Sequence, residues 1–194
     1  MQTKMTNYIG MYLDAAVKLI GQINRQEIEA TIKVLVNLKK KGGRLFLLGV
    51  GGSAGNCSHA VNDFRKICKI EAYAPTDNVS ELTARANDDG FDTVFNKWLE
   101  VSQLSSNDVV MVFSVGGGNI EKNISVNIVK ALEFAKKVGS PILGIVSRDG
   151  GYTKKVAKVS IHLPISEPEL ITPLSESFQA VIWHSIVTHP KLRS

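Results

Sequence analysis

Two stretches of this sequence follow one plan: an apolar run without alternation, closed by glycines. The first is Arg44-Leu-Phe-Leu-Leu-Gly49, leading into Val50-Gly-Gly-Ser-Ala-Gly55. The second is Asp108-Val-Val-Met-Val-Phe-Ser114, leading into Val115-Gly-Gly-Gly-Asn119. A strand with one wet face alternates apolar and polar residues. An unbroken apolar run implies burial on both faces, hence a parallel sheet covered by helices. Pro141 to Ser147 reads as a third such strand, ending in Arg148-Asp-Gly-Gly151, and Val159 to Pro164 as a short fourth. Helical spacing separates or follows them at Ile128–Val138 and Ser175–Thr188. Strands alternating with helices predict a doubly wound α/β sheet flanked by helices.

Two helices precede the first strand. Tyr8 to Ile23 carries apolar residues at Ile9, Tyr12, Leu13, Ala16, Val17 and Ile20, a helical stripe. Ile28 to Leu38 continues it through Ile28, Ile32, Leu35, Val36 and Leu38, and Gly42 and Gly43 stop it. A chain of 194 residues suffices for one domain with a sizeable core. The expected organisation is a single domain over 1–194, with an N-terminal helical pair over 1–42 and an α/β core with closing helix over 43–194. A long apolar helix pair on so small a core suggests an oligomer interface.

The formal net charge of +5 favours anionic ligands, but the basic residues are too scattered to imply nucleic acid. Their one run, Lys39 to Lys41, precedes glycines, where a helix end favours cations through its dipole. Cys57 and Cys68 form no paired framework and read as reduced thiols in a cytoplasmic protein. Met1 to Gly10 has no apolar run behind a basic flank, so no signal peptide is expected. Apolar runs are strand-length, short of the roughly 20 residues of a membrane span.

In an open parallel sheet, ligands bind beyond the carboxyl ends of the strands. Both glycine loops fall there. Gly51, Gly52, Gly116, Gly117 and Gly118 let backbone N–H groups approach an anion, and Ser53, Ser114 and Asn119 offer side-chain hydrogen bonds. Neither loop is a P-loop or a GxGxxG dinucleotide fingerprint. His59 and Asp63 stand one helical turn apart, and Glu176 and His184 stand eight apart on the closing helix. Together these imidazoles and carboxylates form a candidate Zn²⁺ site whose groups could also shuttle protons. His162 and His189 receive no role.

These residues resemble a known family. Gly51-Gly-Ser-Ala54, then His59 and an acid at 63, is similar to the first motif of the phosphoheptose isomerase branch of the sugar-isomerase (SIS) domain family, GNGGSA followed by HxxxE. Asn87-Asp-Asp-Gly-Phe91 with Val94-Phe95 resembles its NDYG(F/Y)xxVF segment. Ser114-Val-Gly-Gly-Gly-Asn119 stands where the family has a serine-rich STSGNS phosphate loop, and Glu176 with His184 matches its Q-x₇-H spacing. The resemblance implies conversion of sedoheptulose 7-phosphate into D-glycero-D-manno-heptose 7-phosphate, towards nucleotide-activated heptose for bacterial surface polysaccharides. It implies a homotetramer with sites between subunits and one Zn²⁺ per subunit. Carried over by position, Asp63 stands for the base and His184 for its acid/base partner. His59, Asp63, Glu176 and His184 stand for the metal shell. Gly51, Gly52, Ser53, Ser114, Gly116, Gly117, Gly118, Asn119 and Glu176 stand for phosphate and sugar contacts, with Asn87 and Asp88 near the sugar.

The sequence also departs from the pattern. Asp63 replaces a glutamate, Glu176 a glutamine and Val50 an asparagine. Glycines replace hydroxyl residues in the phosphate loop, which reads as one residue longer, and Pro173 replaces an acidic residue. The family also includes tetrameric proteins that bind a replication initiator and catalyse nothing, so a non-catalytic binding module is the alternative. The retained acids and imidazoles favour the enzyme.

Overall fold

The structure, a computed structural model, describes residues 7–193. Most of the start that reads as lacking a signal peptide lies outside the described residues. Helices α1 (Tyr8–Gln22) and α2 (Arg25–Lys41) open the chain. The Asn24 side chain caps α2 by accepting from the Gln26 N–H at 2.9 Å. Lys39, Lys40 and Lys41 occupy its last turn, and Gly42 ends it in the left-handed conformation.

The core follows as β1 (Leu45–Leu48), α3 (Gly52–Lys66), β2 (Ala72–Tyr73), α4 (Val79–Asp89), α5 (Val94–Val101), β3 (Val109–Ser114), α6 (Val126–Val138), β4 (Ile142–Val146), α7 (Gly151–Val156), β5 (Val159–His162) and α8 (Ile171–Val187). All strand pairs are parallel, in the order β2-β1-β3-β4-β5. The chain winds outward from β1 to β2, then returns to β3 on the other side of β1. The carboxyl ends of β1 and β3 are therefore neighbours at the point where winding reverses, and both glycine loops emerge there.

Side-chain alternation divides the core into two layers. Leu45, Leu47, Met111, Phe113, Leu143 and Ile145 pack beneath α1, α2, α3 and α8. Phe46, Leu48, Val110 and Val112 face α4, α5 and α6. β2, α4, α5 and α7 were not evident from periodicity. The two-residue β2 is too short to show a pattern, and α4 contributes no fully buried residue. α8 begins at Ile171, earlier than the apolar spacing suggests.

One ion pair ties the strand starts together. Asp108, 3% exposed, accepts from the backbone N–H, Nε and Nη2 of Arg44 at 2.8–3.1 Å, and from the backbone and hydroxyl of Ser105, each at 2.9 Å. Burial works against the charged form, but these donors win and hold the carboxyl below the usual carboxylate range. A depressed native pKa contributes stability that is present above the unfolded-state value of about 3.9 and is lost as pH falls through the native one. Asp108→Ala, which leaves the Arg44 guanidinium only its contacts to the Ser102 and Gln103 carbonyls, is expected to cost about 1.5–3 kcal/mol in urea unfolding at pH 7. The gap between variant and wild type should narrow below pH 4; one that stays constant down to pH 2 would show the carboxylate charge to be irrelevant. Both cysteines are buried and unbridged. Burial raises the Cys57 thiol and pushes Cys68 up to about 11, so neither is a nucleophile at neutral pH.

Candidate active site

Helices α3 and α8 pack side by side and carry the imidazoles and carboxylates singled out in the sequence. At their first common stretch, Ser53 and Gln179 are both buried. Gln179 Nε2 donates to Ser53 Oγ at 3.0 Å, while its Oε1 accepts from Asn56 Nδ2 at 2.9 Å. Asn56 also donates to the Glu176 carbonyl at 2.8 Å. This amide network fixes where the first glycine loop turns into α3. The sequence reading missed Gln179; its signal was a polar residue among Leu174, Phe178, Ile182 and Ile186 on the inner face of α8.

At the switch point lies a cleft of about 610 Å³. Of the residues expected to bind phosphate and sugar, Ser53, Ser114, Gly116 and Asn119 line it. Gly51 precedes α3 with a φ of 64°, and Gly52 opens the helix against the Glu176 carboxylate, which a Cβ there would displace. Gly117 and Gly118 lie outside this lining and have a structural task. Their carbonyls accept from Thr153 N–H (2.9 Å), Thr153 Oγ1 (2.7 Å) and Tyr152 N–H (2.8 Å), locking the loop to α7. A Cβ at Gly117 would overlap the Gly150 carbonyl oxygen, so two backbones cross there.

The second loop leads into a hairpin before the next helix, whose start was expected at Ile128. Asn119 and Ile124 exchange two backbone hydrogen bonds of 2.8 Å, closing a small hairpin, and α6 starts at Val126. The residue at the helix start that lines the cleft is therefore Ser125, accompanied by Lys122 from the hairpin and Arg148 from the loop after β4. None of these three was expected. The hairpin is a polar insertion without periodicity, and Arg148 belongs to a different strand end.

Further along the same helix pair, His59, Asp63 and His184 converge, each offering a ligand atom within 4.8 Å of the others. Asp63 Oδ2 lies 3.9 Å from His59 Nε2 and 3.6 Å from His184 Nε2. Asp63 is 9% exposed, whereas both imidazoles are open to solvent. His184 Nδ1 donates to the Ala180 carbonyl at 2.8 Å. That bond places the ring proton on Nδ1 and leaves Nε2 free toward Asp63. The trio suits Zn²⁺, which takes nitrogen and carboxylate donors, and it leaves a further coordination position open.

Glu176 does not join this trio within the chain. Eight residues separate it from His184 on one helix, about 12 Å of rise, and its carboxylate lies against Gly52 instead. Asn87 and Asp88 are exposed on the last turn of α4, where Asn87 Nδ2 donates to Asp88 Oδ1 at 2.8 Å, and they do not line the cleft. Among the described residues, no helix is long and apolar enough to cross a membrane.

Fold and site together define an α/β domain with a cleft at the switch point, lined by both glycine loops, and a separate histidine–carboxylate trio. Residues 11–147 match the SIS domain, and the chain belongs to that family, in its phosphoheptose isomerase branch. A Thermoplasma volcanium protein named "Probable phosphoheptose isomerase" is 35% identical over 176 residues, 88% of this chain and 85% of the relative. The phosphoheptose isomerase of Citrifermentans bemidjiense is 33% identical over 164 residues, 82% of this chain and 80% of the relative. The structure of phosphoheptose isomerase GmhA from Neisseria gonorrhoeae superposes with a TM-score of 0.79 over 96% of both chains; at 21% identity the likeness is one of fold.

Proposed function

We propose that the protein is an aldose–ketose isomerase of a sugar phosphate. Sedoheptulose 7-phosphate, converted to D-glycero-D-manno-heptose 7-phosphate, is the substrate its relatives' names favour. The observation that carries the reading is the nearly buried Asp63 carboxylate facing two imidazoles whose Nε2 atoms lie within 4 Å of it. Isomerisation moves one proton between adjacent carbons. Asp63 takes the proton from C1 of the ketose, the C1–H pair becomes the C1=C2 bond, and the C2 carbonyl oxygen gains a proton. Collapse of the enediol returns a proton to C2 while O1–H is lost, leaving the aldehyde. His184, with Nε2 free, handles the proton at C2. The same trio, joined by Glu176 of a second copy, would hold Zn²⁺, which as a Lewis acid polarises the carbonyl and hydroxyl oxygens when bound.

Within one chain the cleft and the trio lie on separate stretches of the α3–α8 pair. Ser53 and Asp63 are ten residues apart on α3, about 15 Å of rise. This separation supports a site completed by a second copy, with Glu176 and the cleft of one subunit meeting the trio of another. The exposed face of α1 supports the same assembly. Ala15 and Leu19 turn inward, while Ile9, Leu13, Val17 and Ile20 are 57–69% exposed on the outer side. We read the assembly as a homotetramer in the cytoplasm, supplying heptose for surface polysaccharide.

Incubation with sedoheptulose 7-phosphate in D₂O tests the reading. Deuterium is expected at the carbon next to the carbonyl. Elemental analysis is expected to find zinc at about one per chain, lost in His59→Ala and His184→Ala. No exchange with any heptose or hexose phosphate, together with no bound metal, would leave the non-catalytic binding module in its place.

A further inference from the structure

Two cations on the cleft have no work to do within the chain. Among the described residues, neither the Lys122 ammonium nor the Arg148 guanidinium makes an ion pair or a side-chain hydrogen bond, yet both line the same concave wall. They come from different strand ends. Lys122 sits at the tip of the hairpin between β3 and α6, and its position is fixed. Asn119 Oδ1 accepts from the Lys122 N–H at 2.9 Å, and Asn123 N–H donates to the Ile120 carbonyl at 3.0 Å. Arg148 is held in the left-handed region, with a φ of 50°, where a non-glycine residue is strained. His162 fixes it by donating from Nε2 to the Arg148 carbonyl at 2.8 Å. Its side-chain stem passes over Gly116, whose missing Cβ would stand 3.9 Å from Arg148 Cδ. Asp149, the one carboxylate on the wall, accepts from the Gly151 N–H at 3.1 Å.

Four hydroxyl residues line this wall, Ser53, Ser114, Ser125 and Thr172. Ser53 is held by Gln179, and Ser114 Oγ accepts from the Gly117 N–H at 3.0 Å. Gly116, Gly117 and Gly118 offer no side-chain donors. Neutral hydroxyls carry no counter-charge for a phosphate dianion, and Lys122 and Arg148 are the two cationic side chains on this wall.

We propose that the hairpin after β3 is a phosphate clamp, in which Lys122 and Arg148 together bind the terminal phosphate of the substrate and set the preference for phosphorylated over neutral sugars. The name of the sugar rests on the isomerase reading; the anion site does not. The guanidinium engages two phosphate oxygens through its fork, and the ammonium acts as a point charge. His162 is a positioning residue for Arg148.

The experiment compares wild type with Lys122→Gln, Arg148→Gln and the double variant, by calorimetry with inorganic phosphate and by isomerisation kinetics. Lys122 and Arg148 are exposed, so the variants should keep the wild-type circular dichroism spectrum. Each single variant is expected to weaken phosphate binding about 10- to 100-fold, with most of the kinetic loss in KM rather than kcat. Lys122→Arg should restore most of the affinity. Turnover of an unphosphorylated heptulose should be far less sensitive to either change. Loss of phosphate binding in the variants of a protein that isomerises nothing would uphold the clamp while removing the isomerase. Phosphate affinity and KM within twofold of wild type in the double variant would overturn the clamp, whatever the wild type catalyses.

Discussion

Asp63→Asn is expected to give a folded, assembled protein whose turnover is lower by about 10²–10⁴-fold. The amide matches the carboxylate in shape and can still meet the Asn62 side chain, which donates to Asp63 Oδ1 at 2.9 Å. It has no basic oxygen to take a carbon-bound proton. Solvent-deuterium exchange should fall with turnover, because the first proton abstraction is lost rather than a later step. His184→Ala should fall by a comparable factor. The double variant should lose little more than either single one, since the two groups act on one proton path. Turnover of Asp63→Asn within tenfold of wild type would remove Asp63 as the base. Zinc content measured on the same samples separates the two roles of the carboxylate. A variant that keeps its metal and loses exchange has lost a base, whereas one that loses both has lost a ligand as well.

A second large effect is expected from Val17→Glu on the outer face of α1. Val17 is 68% exposed in the single chain, so the substitution costs the fold little. In an assembly that covers this face, each copy would bury an unpaired carboxylate, a penalty of about 3–5 kcal/mol. That corresponds to roughly two to four decades in association constant. Light scattering should show smaller species at micromolar concentration. Activity should fall with the assembly, because the cleft and the trio of a single chain are too far apart to work on one substrate. An intact assembly would place the interface elsewhere. A fully active monomer would contradict the shared site itself.

The sequence by itself determined the parts that local pattern controls. The unbroken apolar runs at Leu45–Leu48, Val109–Ser114 and Ile142–Val146 can only be strands covered on both faces, and they are. Gly42 after Lys39 to Lys41 marked a helix end because the left-handed turn and the dipole each act within one turn of chain. The i, i+4 pair of His59 and Asp63 was legible for the same reason. The elements that escaped, β2, α4, α5 and α7, are short or half-exposed, so they leave little periodic trace.

Only the tertiary structure decided how these parts meet. It set His184 beside Asp63 across two helices 121 positions apart in number, and it left Glu176 against Gly52, because α3 and α8 pack in one register that side chains alone select. It gave Gly117 and Gly118 to a crossing of two backbones, a demand imposed by a loop from another strand. It brought Lys122 and Arg148 to one wall although neither falls in a motif with the other. Hydrophobic period and turn chemistry act over a few residues and are written locally. Convergence of side chains from separate strand ends depends on sheet order and helix packing, which no single stretch of sequence contains.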